Sequence, residues 1–219
     1  MATSAIGPGF LTSTSLFTSK LFASFGFTIL VATIIDIIAQ ANIWRIITVA
    51  NKPAQVIAGE VSPGLGGFLS MIIVFGGLVF NTGNIAGCGL GLNVLFGLDV
   101  LTGSVISASI AMVLFLVKDA GRAIDLFTRV LGLLMVVLML YVAISSRPPM
   151  VEALHRTFVP EKIDFMSIIT IVGGTVGGYI TFAGAHRLLD AGIAGPDNID
   201  RVNRSTITGI AVVTAMRVL

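Results

Sequence analysis

The sequence predicts an all-α integral membrane protein whose helices form an inverted repeat, and three observations predict it. Charged residues make up only 11% of a chain that is 55% hydrophobic, whereas a soluble domain carries about 25%. Apolar stretches recur at lengths near the ~20 residues that cross a bilayer as a helix. Two of these stretches, headed by Gly7-Pro8-Gly9 and by Gly173-Gly174, are interrupted by helix breakers. A water-facing surface cannot be built from so few charges, and the mean hydropathy of +1.01 agrees.

The same composition excludes several classes. The formal charge is +2 with no basic block, so nucleic acid is not an expected partner. A lone cysteine, Cys88, rules out an internal disulfide or a thiolate cluster. His155 and His186 have no zinc-type spacing. No nucleophile–base pair stands out, so an enzyme is not expected and no cofactor is implied. The first lysine is Lys20, so the basic leader of a cleavable signal peptide is missing and insertion is expected to rest on the spans themselves.

The first apolar segment runs from Gly7 to about Ser24 and is dense in hydroxyls, among them Thr12, Ser13, Thr14 and Ser15. It reads as a helix bent or unwound at Gly7-Pro8-Gly9 that faces protein or water, or else as a re-entrant or interfacial segment. The second span, Phe25 to about Val49, carries Asp36 within an isoleucine-rich run. A mid-membrane carboxylate costs ~2.5–3.5 kcal/mol on insertion scales, so it should face the bundle interior with a partner. Lys20 is one candidate partner, and a purely structural hydrogen bond is the alternative. Trp44 and Arg45 mark the interfacial end.

Residues 51–66 read as a polar loop with a short amphipathic helix. The third span, Phe68 to Phe96, places Gly83, Gly87 and Gly91 on one small face for close packing. Asn81, Asn84 and Asn93 lie along it and need hydrogen-bond partners, either between helices or along a path; for Asn93 the structural role is expected. Gly97-Leu98-Asp99 is a tight turn, followed by a fourth span to Val117 and a fifth, lipid-facing span from Leu126 to Ser145. Arg147 to Asp164 is a longer polar loop with Pro148, Pro149 and Pro160.

The sixth span, Ile168 to Asp190, carries Gly173, Gly174, Gly177, Gly178 and Gly184. Such a helix can break only where its freed backbone groups are buried in protein or line a cavity. There the helix ends present opposite dipoles to an ion or polar solute. A glycine-rich packing helix is the competing reading. A charged loop follows, then about a dozen apolar residues to Leu219, so a seventh helix is expected to be cut. The division expected is a first five-helix repeat in residues 1–145, and in residues 146–219 an external loop, the broken sixth helix and the start of a seventh. Seven basic residues in the loops after even-numbered spans against four in the others place the N-terminus in the cytoplasm of a multi-pass cell-membrane protein.

Five spans is an odd number, so the second glycine-rich segment enters the membrane from the opposite side to the first. That is the plan of transporters in which two discontinuous helices meet at the midplane around their cargo. The expected cargo-binding set is Gly7, Pro8, Gly9, Thr12, Ser13, Gly173, Gly174, Thr175, Gly177 and Gly178. Asp36, Asn81, Asn84 and His186 are the candidates for proton or ion coupling. His186 beside Arg187 also fits the membrane edge, contacting headgroups or water.

Three stretches carry a resemblance: GPGFL, FGFTILVATIIDIIAQ and AGCGLGLNVLFGLD resemble the first three helices of the NRAMP family of divalent metal transporters. TVGGYITFAGAH sits where that family has its sixth-helix motif. The resemblance implies a LeuT-like inverted-repeat fold and transition-metal uptake, usually proton-driven. It also implies departures. The family's first-helix Asp-Pro-Gly-Asn has no counterpart here, its sixth-helix methionine is matched by Gly177, its Pro-His by Gly178-Tyr179, and its third-helix acids by Asn81 and Asn84. Without the soft sulfur and the carboxylate, what remains is backbone polar groups with Thr12, Ser13, Thr175 and Thr181. That set suits a hydrated ion, or an anionic organic solute held by helix N-termini; the resemblance makes a divalent metal ion in an altered site the first reading and a small organic acid the second. A membrane protein that transports nothing is the third reading.

Overall fold

The computed structural model describes residues 7–116, 121–175 and 178–219, and the regular structure among them is helical. Helix α1 spans Pro8–Leu21. Gly7 is its N-cap and Pro8 its first residue, where the missing N–H would have had no helical acceptor anyway. The helix ends at Phe22, whose φ of 50° is uncommon for a residue with a side chain. A 3-10 turn, Phe22–Ser24, leads into α2, Phe25–Ala50. The chain reverses here: the rings of Phe17 and Phe25 lie 6.2 Å apart.

A short helix α3, Ala54–Val61, occupies the expected polar loop. Helix α4 spans Leu65–Phe96 and stops at Gly97, whose φ is 69°. The Asn93 amide donates to the Leu98 carbonyl at 2.6 Å, the structural role expected of it. Asp99 then caps α5, Val100–Leu116, by accepting from the Leu101 N–H at 3.0 Å. The close approach between α4 and α5 differs from expectation. Gly83 and Gly91 face open space; Gly89 and Gly103 make the contact, where a Cβ on Gly103 would lie 3.1 Å from the Gly89 carbonyl oxygen. The small residue that counts is the one turned toward the neighbour, which a four-residue spacing alone does not identify.

Helix α6, Gly121–Ser146, exposes Leu126, Leu133, Val137 and Ile144 among others, as a lipid-facing span should. It bends through 105° into α7, Met150–Phe158. That helix corrects the expectation of an irregular proline-rich loop. Its apolar Met150, Val151, Leu154 and Phe158 and its polar Glu152, His155 and Arg156 recur at helical spacing, the pattern of a helix lying in a membrane interface.

Helices α8, Phe165–Thr175, and α9, Tyr179–Asp190, are the two halves of the sixth span. A 3-10 turn, Pro196–Asn198, precedes α10, Ile199–Val218. Helix α10 therefore begins inside the segment expected to be a charged loop. Gly9–Ala50 (α1 and α2 taken together), Leu65–Phe96 and Phe165–Asp190 are each long and apolar enough to cross a membrane, and α6 with α7 would be a fourth only if the bent pair counts as one span.

Helix α2 is the hub, packed against α8, α9 and α10. One buried cluster joins Phe17 and Leu21 of α1, Phe25 and Ile29 of α2, and Ile171 of α8. Another joins Trp44 and Ile47 of α2, Ala185 of α9 and Val202 of α10. In lipid such contacts gain by close packing rather than by escape from water. Trp44 is therefore no interfacial anchor: it is 2% exposed.

Candidate functional site

Helix α1 runs antiparallel to α8; what precedes Gly7 lies outside the described residues. At the C-terminal end of α1, Lys20 pairs with Asp164, which precedes α8. Asp164 also accepts from the Ser167 hydroxyl at 2.7 Å and the Met166 N–H at 3.1 Å, capping α8. The Lys20 hydrogen bond and then that of Ser167 hold the Asp164 carboxyl down at about 2. At the other end, Phe10 in the first turn of α1 packs with Ile180 in the first turn of α9, together with Val213 and Met216 of α10. The start of one segment thus meets the break in the other.

The expected pairing of Lys20 with Asp36 is corrected. The 3-10 turn sends Lys20 to the end of the hairpin, while Asp36 sits mid-helix at its closed interior, 3% exposed. Asp36 Oδ2 accepts a 2.6 Å hydrogen bond from Thr175 Oγ1, in the last turn of α8 before the break. The same hydroxyl is 2.8 Å from the Ile171 carbonyl oxygen. Asp36 Oδ1 is buried and has no hydrogen-bond partner among the described residues. The break is held from the far side too: Trp44 Nε1 donates to the Thr181 carbonyl at 2.9 Å.

Arg217, near the end of α10, is the residue that sequence reasoning missed. It is 7% exposed, and its guanidinium lies 4.9 Å from the centroid of the Phe10 ring. Its Nε is buried without a hydrogen-bond partner among the described residues. Its charge and that of Asp36 interact, yet the two form no direct ion pair among the described residues. The signal was available: a single arginine in the apolar run AVVTAMRVL is a functional candidate by default.

The other expected residues divide. Gly7 faces Asn84 of α4, and a Cβ on Gly7 would lie 2.6 Å from Asn84 Oδ1. Gly178 is the N-cap of α9 and approaches the Gly173 carbonyl. Gly9 and Gly174 meet nothing within 4 Å. Pro8 opens α1, Ser13 bonds back to the Phe10 carbonyl at 3.0 Å, and Thr12 and Asn81 are exposed. Gly177 lies outside the described residues. His186 sits two turns into α9, and its Nε2 is buried without a hydrogen-bond partner among the described residues. No group of three or more His, Cys, Asp or Glu side chains that could hold a metal ion forms among the described residues.

An all-helical chain with membrane-length spans, a sixth span interrupted at Gly178 and a buried acid on the helix beside it fits the fold of a membrane transporter. The chain belongs to the Nramp family: the family described as natural resistance-associated macrophage protein-like matches residues 1–218. It is 56% identical over its whole length to "Uncharacterized membrane protein YcsG" of Bacillus subtilis, of which it covers 54%. It is 55% identical to an "Uncharacterized membrane protein" of Haemophilus influenzae, of which it covers 55%. Over 72% of the chain it is 27% identical to "Divalent metal cation transporter MntH" of Lacticaseibacillus casei, covering 36% of that protein. The chain thus spans about half the length of the more similar relatives. No solved structure matches it.

Proposed function

We propose that the protein is a secondary transporter on the Nramp scaffold whose cargo passes between the two helix interruptions, and that this cargo is a divalent metal ion in an altered site. Family membership and the distant MntH relatives support metal transport. The observation that carries the altered site is Asp36: a buried carboxylate beside the break, with one oxygen held by Thr175 and the other without a donor among the described residues. A hard divalent ion is held by such oxygens together with backbone carbonyls and water. The test is uptake of radiolabelled Mn²⁺ into proteoliposomes made from the complete reading frame. Uptake that Asp36→Asn reduces at least tenfold supports the proposal; equal uptake by both overturns it.

A second reading, transport of a small organic acid on the same scaffold, is favoured by Arg217. A fixed guanidinium beside the break repels a bare dication and attracts a carboxylate. Mn²⁺ uptake that is absent in the wild type, with uptake of labelled malate or lactate in its place, favours this reading.

The five-helix repeat in residues 1–145, the cytoplasmic N-terminus and placement in the cell membrane belong to the same proposal. The odd count of spans in the first repeat and the loop charges support them.

A further inference from the structure

Two buried, oppositely charged side chains at one junction each keep an atom without a partner. Among the described residues Asp36 Oδ1 has no donor and Arg217 Nε no acceptor. Their charges interact, yet no direct ion pair joins them among the described residues. Buried polar atoms are normally satisfied, because leaving them bare is costly. A charge is rarer still in such a place without a partner. A pair that closed on itself would satisfy both atoms; this one is held apart. Thr175 anchors the Asp36 carboxylate toward α8, and the Phe10 ring carries the Arg217 guanidinium over the first turn of α1.

The surroundings of Arg217 add to its sign. The N-terminal turns of α1 and α9, marked by Phe10 and Ile180, meet in the cluster beside it. Both present the positive ends of helix dipoles. Phe10, Ile180, Val213 and Met216 are apolar, so the charge is desolvated and its attraction for an anion is strengthened.

We propose that Arg217 and Asp36 form a binding site for a small carboxylate that also bears a hydrogen-bond donor. The carboxylate takes the guanidinium, which presents a planar fork of donors. An N–H or O–H of the same molecule takes Asp36 Oδ1. The site rests on the second functional reading above, and it also admits a carboxylate that arrives bound to a divalent metal, with the metal on Asp36 in place of the donor.

Binding to the purified protein from the complete reading frame tests this, read as the thermal midpoint during titration. The probes are lactate, malate and alanine, the donor-free propionate and succinate, Mn²⁺ alone, and Mn²⁺ with malate. The site predicts that at least one donor-bearing acid raises the midpoint and binds at least tenfold tighter than its donor-free counterpart. Arg217→Gln should weaken that acid at least tenfold, while Arg217→Lys, which keeps the charge but not the fork, should retain part of the affinity. Asp36→Asn should narrow the gap between malate and succinate. Monodispersity on gel filtration shows that each variant is folded, and Arg217→Lys carries the test should Arg217→Gln fail it. A response to malate only with Mn²⁺ present assigns the site to the metal-bound acid. A response to Mn²⁺ alone, undiminished in Arg217→Lys and with none to any acid, overturns the carboxylate site and leaves metal transport standing. No response to any probe overturns the carboxylate site, and Mn²⁺ uptake then decides metal transport separately.

Discussion

Thr175 and Asp36 join the sixth span to α2: the hydroxyl in the last turn of α8 donates to a carboxylate buried at the middle of α2, at 2.6 Å. Thr175→Val keeps the shape and removes the donor, leaving both Asp36 oxygens without a donor among the described residues. A hydrogen bond to a charged group contributes about 1.5–3 kcal/mol. The variant should therefore unfold at a lower temperature, and its transport should fall at least tenfold against a control such as Thr82→Val on the exposed face of α4.

Trp44 holds the other half of the break through its indole N–H on the Thr181 carbonyl. Trp44→Phe removes that donor and part of a fully packed ring. A loss of about 1–3 kcal/mol is expected from the hydrogen bond, with more from the space left behind. Differential scanning calorimetry in detergent should show the drop, whereas Trp44→Tyr should recover some of the packing and little of the bond.

Gly7 and Asn84 are a steric pair. A methyl group on Gly7 would press on the Asn84 amide oxygen, 2.6 Å away. Gly7→Ala should lower the thermal midpoint by pushing that side chain aside. In the double variant with Asn84→Ala the costs should fall short of their sum, because the second change removes the obstacle. Strict additivity would show that the two do not touch.

Asp164 makes acid stability depend on Lys20. Its carboxyl sits below the ordinary value of 3.8, at about 2. A depressed folded pKa gives stability that is present above the unfolded pKa and is lost as pH falls through the folded one. The wild-type thermal midpoint should therefore fall between about pH 4 and pH 2. Lys20→Met should flatten that decline and leave the slope above pH 5 unchanged. Identical profiles for the two proteins would remove Lys20 as the cause.

Much of this was legible in the sequence because glycine and proline leave local marks. Gly7-Pro8 does open a helix, and the sixth span is interrupted at Gly178, the non-helical N-cap of α9. The burial of Asp36 followed from the cost of a charge in lipid. Its partner was not legible. Lys20 is nearer in sequence, but the turn at Phe22 sends the two residues apart and brings Thr175 and Arg217 to Asp36 from helices that follow much later. Trp44 reads as an interfacial anchor by type, yet it is buried because α9 and α10 cover that end of α2. Helix α7 was hidden by its flanking prolines, although Met150, Leu154 and Phe158 carry the helical period.

The account depends on the start of α1 meeting the start of α9. Cysteine cross-linking of Phe10→Cys with Ile180→Cys, in a Cys88→Ser background in membranes, tests that contact most directly. A short bifunctional maleimide should link the pair in high yield and abolish transport, while Phe10→Cys with Ile163→Cys should stay unlinked. Equal yields for the two pairs, or no link at Phe10 and Ile180, would contradict it.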